Sequence, residues 1–325
     1  MRSKTKYLLS DDDIRNIFSS LNIARVKSIS PLGKGMFNSV YSVTADKEYV
    51  LKVSPKSDVQ VMTYEKDMLK TELFWYETIA KNTDISIPKI YGKDFSHRIV
   101  DADWFVMQKL DGVHRNAFHS EGCDNLYESV SILAKLHSVK GYGYGYIQNG
   151  LFDNWSDALH SIISNLIQDA EQVGKSSRRG RRLLRYAEKY SDILSSAPCV
   201  AVNYDLWDVN IICKNDPDKN SPFSIIDPER GLWGDPIFDM ICLEGFMSPL
   251  TKKKKSIEYY NRLSDIKIEV NRETKIRYAF AQGVMALIQE VEKFYRYRPF
   301  ETGWTIDVVS SNILYKCAFR ELSNE

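Results

Sequence analysis

Short runs of alternating apolar and polar residues occupy much of the first 110 positions. Segments such as "SVYSVT" and "YVLKV" have the period of two that is typical of antiparallel strands. Helical spacing interrupts them twice, as a short lead-in helix over 11–21 and a longer helix over 61–81. Two more strands are predicted over 89–92 and 104–110. This part of the chain therefore predicts an antiparallel sheet with one long helix.

Helical periodicity dominates the rest of the chain. Amphipathic helices are predicted in "LYESVSILAKLHSV", "WSDALHSIISNLIQDA" and "RRLLRYAEKYSDIL", with short strands near Val200, Ile211 and 224–226 and further helix to the end. A sheet joined to a helical segment is typical of an α+β fold, and 325 residues suffice for two lobes. We place the N-terminal lobe at 1–110 and the C-terminal lobe at 111–325.

The charge balance argues against two classes of partner. There are 44 Lys and Arg residues and 43 Asp and Glu residues, a net charge of +1, which disfavours a dedicated nucleic-acid or membrane-surface binder. Two basic runs, at 178–182 and 252–255, are predicted to be solvated loops. We therefore expect no nucleic-acid or membrane partner.

The cysteines and the N-terminal residues indicate a cellular compartment. Five cysteines without a CxxC pair are typical of reduced thiols rather than of a zinc site or a disulfide framework. The apolar patch near the N-terminus is too short for a signal peptide, and no window approaches the length of a membrane span. We expect a cytoplasmic protein.

One segment interrupts apolar runs with acids and amides: "VNYDLWDVNIICKNDPDKNSPFSIIDPERGLWGDP". Asp205 and Asn210 follow one predicted strand, and Asp227 ends a later one, so a hairpin would bring the three together. The alternative is an ordinary polar turn. Phosphoryl transfer uses this set, with one carboxylate for a hydroxyl and an amide and a second carboxylate for magnesium.

The N-terminal sheet contains groups suited to a nucleotide. Gly33 and Gly35 lie in "LGKGMFNSVY", a turn where backbone amides can approach phosphates without obstruction by Cβ. Lys52 is a lone cation in the next strand, and Glu72 lies on the helix that follows. A glycine turn, a strand lysine and a helix glutamate occur in this order in kinase nucleotide sites.

The helix partner of the lysine has two alternatives in this lobe. Glu65 and Glu77 lie on the same predicted helix as Glu72 and compete with it as the partner of the lysine. The strand "WFVMQKLDG" would hold the adenine base through backbone groups of Gln108 and Leu110.

These motifs, in this order, resemble the aminoglycoside phosphotransferase-like kinases, a superfamily that includes fructosamine, choline and methylthioribose kinases. The superfamily commonly has HGDLHxxN or HGDLWxxN, then IDxE or IDP, then GDPxxD; this chain has "NYDLWDVN", "IIDPER" and "GDPIFD". "LAKLHSVKGYGYGY" is similar to another of its segments. The resemblance covers about 28–246. It implies a bilobal protein-kinase-like fold and ATP- and Mg²⁺-dependent transfer of a phosphoryl group to a hydroxyl of a small molecule.

The resemblance also implies roles for individual residues. Asp205 matches the catalytic aspartate, and Asn210 and Asp227 match the metal-binding pair. Lys52 matches the lysine that contacts the phosphates, and Glu72 matches its helix partner.

Other matching positions are expected to be structural. Asp235 and Asp239 match residues that brace the catalytic loop, and His137 matches a histidine on a packed helix face.

The chain departs from the superfamily at Asn203-Tyr204, which replaces His-Gly. We predict that Asn203 hydrogen-bonds to backbone within the loop and that the ring of Tyr204 packs against apolar neighbours.

The acceptor is the least determined part of the function. Asp208, Glu229 and Glu244 are candidate substrate-binding acids, and an aminoglycoside or similar antibiotic is the first candidate acceptor, with a sugar-amine metabolite as the alternative. A nucleotide-binding pseudokinase is the competing class because of Asn203-Tyr204. A protein kinase is disfavoured because "IIDPER" lacks DFG and no APE-like element follows.

Overall fold

The computed structural model describes residues 5–33, 37–117, 125–214 and 223–324. Gly35, predicted to contact the nucleotide, lies outside these ranges. Within them the chain folds as an α+β protein, with an antiparallel sheet in its N-terminal part and mostly helix in the remainder, as predicted.

The N-terminal sheet has five antiparallel strands in the order β1-β2-β3-β5-β4. Lys52 on β3 lies opposite Val40 and Phe105, in the middle of the sheet. The strands are β1 (Ser28–Pro31), β2 (Ser39–Thr44), β3 (Glu48–Val53), β4 (Ile90–Asp94) and β5 (Trp104–Gln108).

Two helices cover opposite faces of this sheet, α1 (Asp11–Ser20) and α2 (Met68–Asn82). Leu51 faces the cluster that contains α1, whereas Val50 faces the cluster that contains α2. Because side chains alternate between faces along a strand, Lys52 lies on the same face as Val50. The alternation therefore directs the lysine toward α2.

The helix α2 begins later than predicted. Asp67 has a left-handed backbone, with φ of 54°, directly before the first residue of α2, and a separate 3-10 turn precedes it at Thr63–Glu65. Glu65 accepts a hydrogen bond from the Met62 backbone N–H and pairs with Arg296, which fixes this turn outside the helix.

The C-terminal part consists of seven further helices and five short strands among the described residues. The long helix α8 is buried along most of its length and packs most extensively against α9. The helices are α3 (Asn125–His137), α4 (Trp155–Gln172), α5 (Arg178–Lys189), α6 (Ser191–Ser195), α7 (Lys254–Leu263), α8 (Arg272–Arg296) and α9 (Thr302–Ser323).

Short strand pairs hold the segments between these helices. β7 pairs with β10, and β6, β8 and β9 form a three-stranded sheet, all antiparallel. The β8–β9 pair is the predicted hairpin. The strands are β6 (Val113–His114), β7 (Val200–Val202), β8 (Ile211–Cys213), β9 (Ser224–Ile225) and β10 (Leu232–Gly234).

Three local predictions were wrong. The single helix expected from "RRLLRYAEKYSDIL" is divided into α5 and α6 at Tyr190, whose hydroxyl donates to the Leu322 carbonyl. The basic run 178–182 lies in α5 rather than in a loop. In the run 252–255, Lys253 is fully buried and its Nζ donates to the carbonyl oxygens of Leu243 and Gly245.

None of the described helices is long and apolar enough to cross a membrane.

A buried polar cluster joins the helical core to the loop after β7. The carboxylate of Asp239 accepts the backbone N–H groups of Asn203 at 3.0 Å and Tyr204 at 2.6 Å. It also contacts His137 Nε2 at 3.0 Å, while the other ring nitrogen contacts the Tyr260 hydroxyl. His137 has the core role predicted for it, and Asp239 fixes the backbone of the loop.

We expect Asp239→Ala to lower the free energy of unfolding by about 3–5 kcal/mol, since it leaves several buried donors without an acceptor. Urea unfolding followed by circular dichroism measures the change. Asp58→Ala, at an exposed turn, is the matched control and is expected to change stability by less than about 0.5 kcal/mol. Equal effects of the two variants would contradict the bracing role.

Candidate active site

A buried ammonium group joins three parts of the chain. Lys52 Nζ lies 2.6 Å from Glu72 Oε2 on α2 and 2.5 Å from Asp227 Oδ1, which follows β9. Lys52 is 5% exposed and Glu72 is fully buried. The structure thus brings the predicted phosphate-contacting lysine, its helix partner and a predicted metal ligand to one point.

Glu72 is the only one of the three candidate glutamates that pairs with this lysine among the described residues. Glu65 is turned to Arg296, at 2.5 Å from its Oε1. Glu77 is exposed and pairs with Lys93 at 2.9 Å. Glu65 lies outside α2, in the preceding 3-10 turn, and of the two glutamates on the helix Glu72 is buried whereas Glu77 is exposed.

The charges at this point perturb one another. Burial lowers the pKa of Lys52, but Asp227 and Glu72 outweigh burial and hold this pKa well above its ordinary value. Burial raises the pKa of Glu72 to about 7, and the lysine only partly opposes the rise. Burial and the neighbouring Asp227 raise the pKa of Glu229 well above its ordinary value. The cluster has more carboxylates than one ammonium group can neutralise.

The backbone of Asp227 is held in a left-handed conformation, with φ of 60° and ψ of 48°. Its N–H donates to the Tyr76 hydroxyl at 2.9 Å, so a residue of α2 fixes the turn. The β8–β9 pairing continues with a bond from the Ile226 N–H to the Asn210 carbonyl at 2.9 Å. The two predicted metal ligands therefore lie at the same end of this hairpin.

The described residues of the predicted nucleotide-binding backbone lie at or just beyond the ends of strands in the N-terminal sheet. Gly33 has φ of 75°, a conformation that suits glycine. Asn38, directly before β2, donates to Glu229 Oε2 at 3.1 Å. This bond connects the start of β2 to the carboxylates around Lys52. Gln108 ends β5 with its N–H donating to the Lys89 carbonyl, and Leu110 follows in the connection to β6.

Asp205 lies in the loop between β7 and β8 and is held on both carboxylate oxygens. Trp207 Nε1 donates to Oδ1 at 2.7 Å, and Asn210 Nδ2 donates to Oδ2 at 3.2 Å. Burial raises the pKa of Asp205 to about 6, with the positive charge of Arg230 opposing the rise. A carboxylate with a pKa in this range is ionised at neutral pH and is chemically suited to general-base catalysis there.

The Asn203-Tyr204 departure is accommodated as predicted. Asn203 Oδ1 accepts the Asp205 backbone N–H at 3.0 Å. Tyr204 is fully buried, contacts Phe238 at a ring distance of 5.2 Å, and donates its hydroxyl to the Ala281 carbonyl at 2.6 Å. Its φ is 57°, a left-handed conformation that is strained for tyrosine. The buried ring and hydroxyl bond offset this strain.

The predicted substrate-binding acids lie in three different places. Asp208 pairs with Arg115. Glu229 lies with Glu72 and Asp227, where their carboxylate oxygens are within 4.8 Å of one another. Glu244 accepts the Ser256 backbone N–H at 2.7 Å, in the first turn of α7.

A cavity of about 340 Å³ opens beside Asp205 and was not predicted from the sequence. Arg230, Glu292 and Asp307 provide its other charged groups, and Trp207 provides an aromatic wall. Arg230 belongs to the "IIDPER" motif, three residues after Asp227. This position in the motif was the one feature of the sequence that could have indicated that Arg230 lies in the site. Glu292 and Asp307 lie on α8 and α9 in segments without a recognisable motif.

Comparison with known proteins identifies the family. The model of the phosphotransferase enzyme family, APH, matches residues 28–251, which is more than half of the chain. The chain belongs to this family. A search of curated proteins finds no significant match. Glu292 and Asp307 lie beyond the matched segment.

Solved structures show the same fold at low sequence identity. A putative fructosamine-3-kinase from Thermobifida fusca has a TM-score of 0.64 at 14% identity, with 94% of this chain and 99% of that chain covered. A putative aminoglycoside phosphotransferase from Ralstonia eutropha has a TM-score of 0.61 at 11% identity, covering 96% and 98%. A mutant of the aminoglycoside phosphotransferase APH(4)-Ia, in complex with AMP-PNP and hygromycin B, has a TM-score of 0.57 at 14% identity, covering 96% and 98%.

The donor set of this phosphotransferase fits a magnesium ion. Glu72, Asp227 and Glu229 offer carboxylate oxygens within 4.8 Å of one another, and hard oxygen ligands are those that magnesium prefers. Glu72 Oε1 is buried and makes no hydrogen bond to any described residue. A divalent cation would balance the excess negative charge beside Lys52.

Replacing Tyr204 by glycine separates strain from packing. We expect Tyr204→Gly to destabilise the protein by roughly 2 kcal/mol or more, because the cavity left by a large aromatic ring outweighs the relief of a left-handed backbone. Tyr204→Phe, which removes only the hydroxyl bond to Ala281, is expected to cost about 1 kcal/mol. Urea unfolding measures both, and a stabilised glycine variant would mean that strain dominates at this position.

Proposed function

We propose that this phosphotransferase transfers the γ-phosphoryl group of ATP to a hydroxyl of a small molecule. One observation supports this function above the others: Lys52 bridges Glu72 and Asp227 at 2.6 and 2.5 Å, in the same site as the Asp205–Asn210 pair. A structural polar turn would not need a buried lysine from a different lobe.

Each group has a role that its position supports. Lys52 would bind the phosphates of the nucleotide, and Glu72 would hold the ammonium group toward them. Asp205 would accept a hydrogen bond from the acceptor hydroxyl, align its oxygen with the γ-phosphorus and take its proton. Asn210 and Asp227 would hold Mg²⁺, which supplies charge neutralisation on the phosphates when bound.

For the backbone contacts of the nucleotide we propose Gly33, Gly35, Gln108 and Leu110. The left-handed φ of Gly33 supports the first of these. At Gln108 the N–H is already engaged with the Lys89 carbonyl, so the remaining backbone groups of this connection would contact the base.

Aminoglycosides and similar antibiotics are the first proposed acceptors, and sugar-amine metabolites are the second. The neighbouring folds include a hygromycin B complex and a putative fructosamine-3-kinase. An aminoglycoside acceptor would make the protein an antibiotic-resistance enzyme. We propose a cytoplasmic location, which the reduced-type cysteine pattern and a nucleotide co-substrate support.

ATP turnover with Mg²⁺ across a panel of hydroxylated compounds tests the kinase function against the pseudokinase alternative.

The strongest test contrasts two aspartates. We expect Asp205→Asn to lower turnover by about 10²–10⁴-fold, the usual effect of losing a positioned acid–base group, with ATP affinity nearly unchanged. Asp227→Ala is expected to weaken both Mg²⁺-ATP binding and turnover, because it removes a metal ligand and a partner of Lys52. Steady-state kinetics and calorimetric titration with Mg²⁺-ATP measure the two quantities.

Unfolding would impair both variants alike, so circular dichroism is the necessary control. Full activity of Asp205→Asn with an accepted substrate would exclude Asp205 as the catalytic residue.

The pH dependence of turnover follows from the raised pKa of Asp205. Only the ionised carboxylate can accept the proton of the hydroxyl, so kcat/KM, which reports ionisations of the free enzyme, is expected to fall as pH decreases through about 6. The free energy of unfolding changes in the opposite direction. Because the pKa is raised in the folded state, protonated Asp205 stabilises the folded protein, and this contribution is lost as pH rises through about 6. A pH–rate profile, paired with melting temperatures at each pH, measures both. Persistence of the same acidic limb in the residual activity of Asp205→Asn would assign it to another group.

A further inference from the structure

A buried lysine in the C-terminal part of the chain has backbone carbonyl oxygens as its hydrogen-bond partners. Lys253 directly precedes α7, and its Nζ donates to the carbonyl oxygens of Leu243 and, at 3.0 Å, of Gly245. The ammonium group also lies 5.6 Å from the centre of the Tyr278 ring on α8. It therefore joins two carbonyl groups that lie two residues apart in the chain.

The two carbonyl groups flank a turn with an uncommon backbone conformation. Glu244 has φ of 42° and Gly245 has φ of 88°, so two consecutive residues have positive φ. This conformation is costly for a residue with a Cβ and persists where neighbouring groups fix it. The Glu244 carboxylate accepts the Ser256 N–H at 2.7 Å, and Lys253 holds the carbonyl on either side. We call residues 243–246 the anchored turn.

The last residue of the anchored turn contacts the loop that carries Asp205. Phe246 packs edge to face against Trp207, with 4.8 Å between the ring centres, and both rings line the cavity beside Asp205. Trp207 Nε1 in turn donates to Asp205 Oδ1 at 2.7 Å. Contacts therefore run from the lysine through the turn and the two rings to the carboxylate.

We propose that Lys253 is a positioning residue: it fixes the anchored turn, and the turn holds the Trp207 indole on the carboxylate of Asp205. The lysine does not line the cavity, so it acts through the turn and not on a substrate. The inference rests on the proposed catalytic role of Asp205 and adds a residue that supports this role from outside the cavity.

The Trp207 indole affects the ionisation of the carboxylate that it contacts. A hydrogen bond to the charged form of an acid favours that form. Burial raises the pKa of Asp205 to about 6, and the bond from Trp207 is among the contacts that oppose the rise. If the anchored turn holds the indole in place, loosening the turn should raise this pKa further.

The ionised lysine is costly to bury. Burial lowers the pKa of Lys253 to about 8, while Cys242 and Glu244 oppose the decrease. Because this folded-state pKa lies below the ordinary value, the ammonium group destabilises the folded protein at neutral pH, and the cost is relieved as pH rises above about 8. Its hold on the conformation of the turn is the property that distinguishes it from an apolar residue.

Nuclear magnetic resonance of the six tryptophan indoles tests the proposal on the full chain without an acceptor. Isotope-labelled tryptophan gives an indole N–H signal for each residue, and Trp207→Phe identifies the signal of Trp207. Two quantities are measured. The first is the rate at which the Trp207 indole hydrogen exchanges with water, and the second is the midpoint of its change in chemical shift with pH, which reports Asp205.

Two variants interrupt the contacts at different points. Lys253→Met removes the ammonium group and keeps an apolar stem, whereas Phe246→Leu removes the aromatic contact and keeps the lysine. Lys254→Met, at an exposed position in the same lysine run, is the matched control.

In Lys253→Met and Phe246→Leu we expect the Trp207 indole hydrogen to exchange with water about tenfold faster. The midpoint should move above about 6 in both variants, because a weaker hydrogen bond favours the ionised carboxylate less. Lys254→Met should keep both wild-type values. The signal of Trp104, on β5 of the N-terminal sheet, should stay unchanged in all three variants.

A wild-type exchange rate and midpoint in Lys253→Met would overturn the proposal, even if Phe246→Leu changed both quantities. So would a Lys253→Met protein that does not fold, or one in which the Trp104 signal moves together with that of Trp207. In either case the lysine would serve the fold as a whole.

ADP release from Mg²⁺-ATP separates this proposal from the proposed function. With an acceptor that the wild-type protein phosphorylates, Lys253→Met should lower kcat about tenfold and leave KM for ATP unchanged, and an unchanged kcat would overturn the proposal. Absence of turnover with every hydroxylated compound would instead contradict the proposed function. The exchange rate and the midpoint would then still decide whether Lys253 positions the indole.

Discussion

The ammonium group of Lys52 is the interaction on which the rest of the site depends. Removing a charge from water is costly, and the cost is recovered only when partners approach closely with good geometry. Its partners, Glu72 and Asp227, come from a helix packed on the sheet and from the end of a hairpin in the other part of the chain. The packing of α2 and the turn after β9 are therefore coupled through one cation.

Two left-handed residues accompany this arrangement. Asp227 and Tyr204 both have positive φ, although neither is glycine. Such conformations cost on the order of 1–2 kcal/mol and persist where the surroundings fix them. The Tyr76 hydroxyl fixes one turn, and the Asp239 carboxylate fixes the other. One of these residues, Asp227, carries the carboxylate proposed for metal binding, and the other, Tyr204, directly precedes the carboxylate proposed for the acceptor hydroxyl.

The two sides of the site come from different segments. Lys52 with its partners and the loop that carries Asp205 lie within the segment that the family model matches, whereas Glu292, Arg296 and Asp307 lie beyond it. The long helix α8 connects the sides, because Glu292 pairs with Arg230 of the "IIDPER" motif. The groups proposed for phosphoryl transfer and those of the cavity wall on α8 and α9 therefore come from different segments of the chain.

The sequence by itself determined the α+β class, the strand carrying Lys52, the β8–β9 hairpin and the adjacency of Asp205 and Asn210. These features depend on local periodicity and on short motifs, which the order of residues records directly. Which glutamate meets the lysine, the burial of Lys253 and the cavity wall around Asp307 were decided by tertiary structure. A helix face or a lysine run has no local signal for what packs against it, because its partners lie far away in the chain. Charge pairing and burial therefore arise only when distant segments meet.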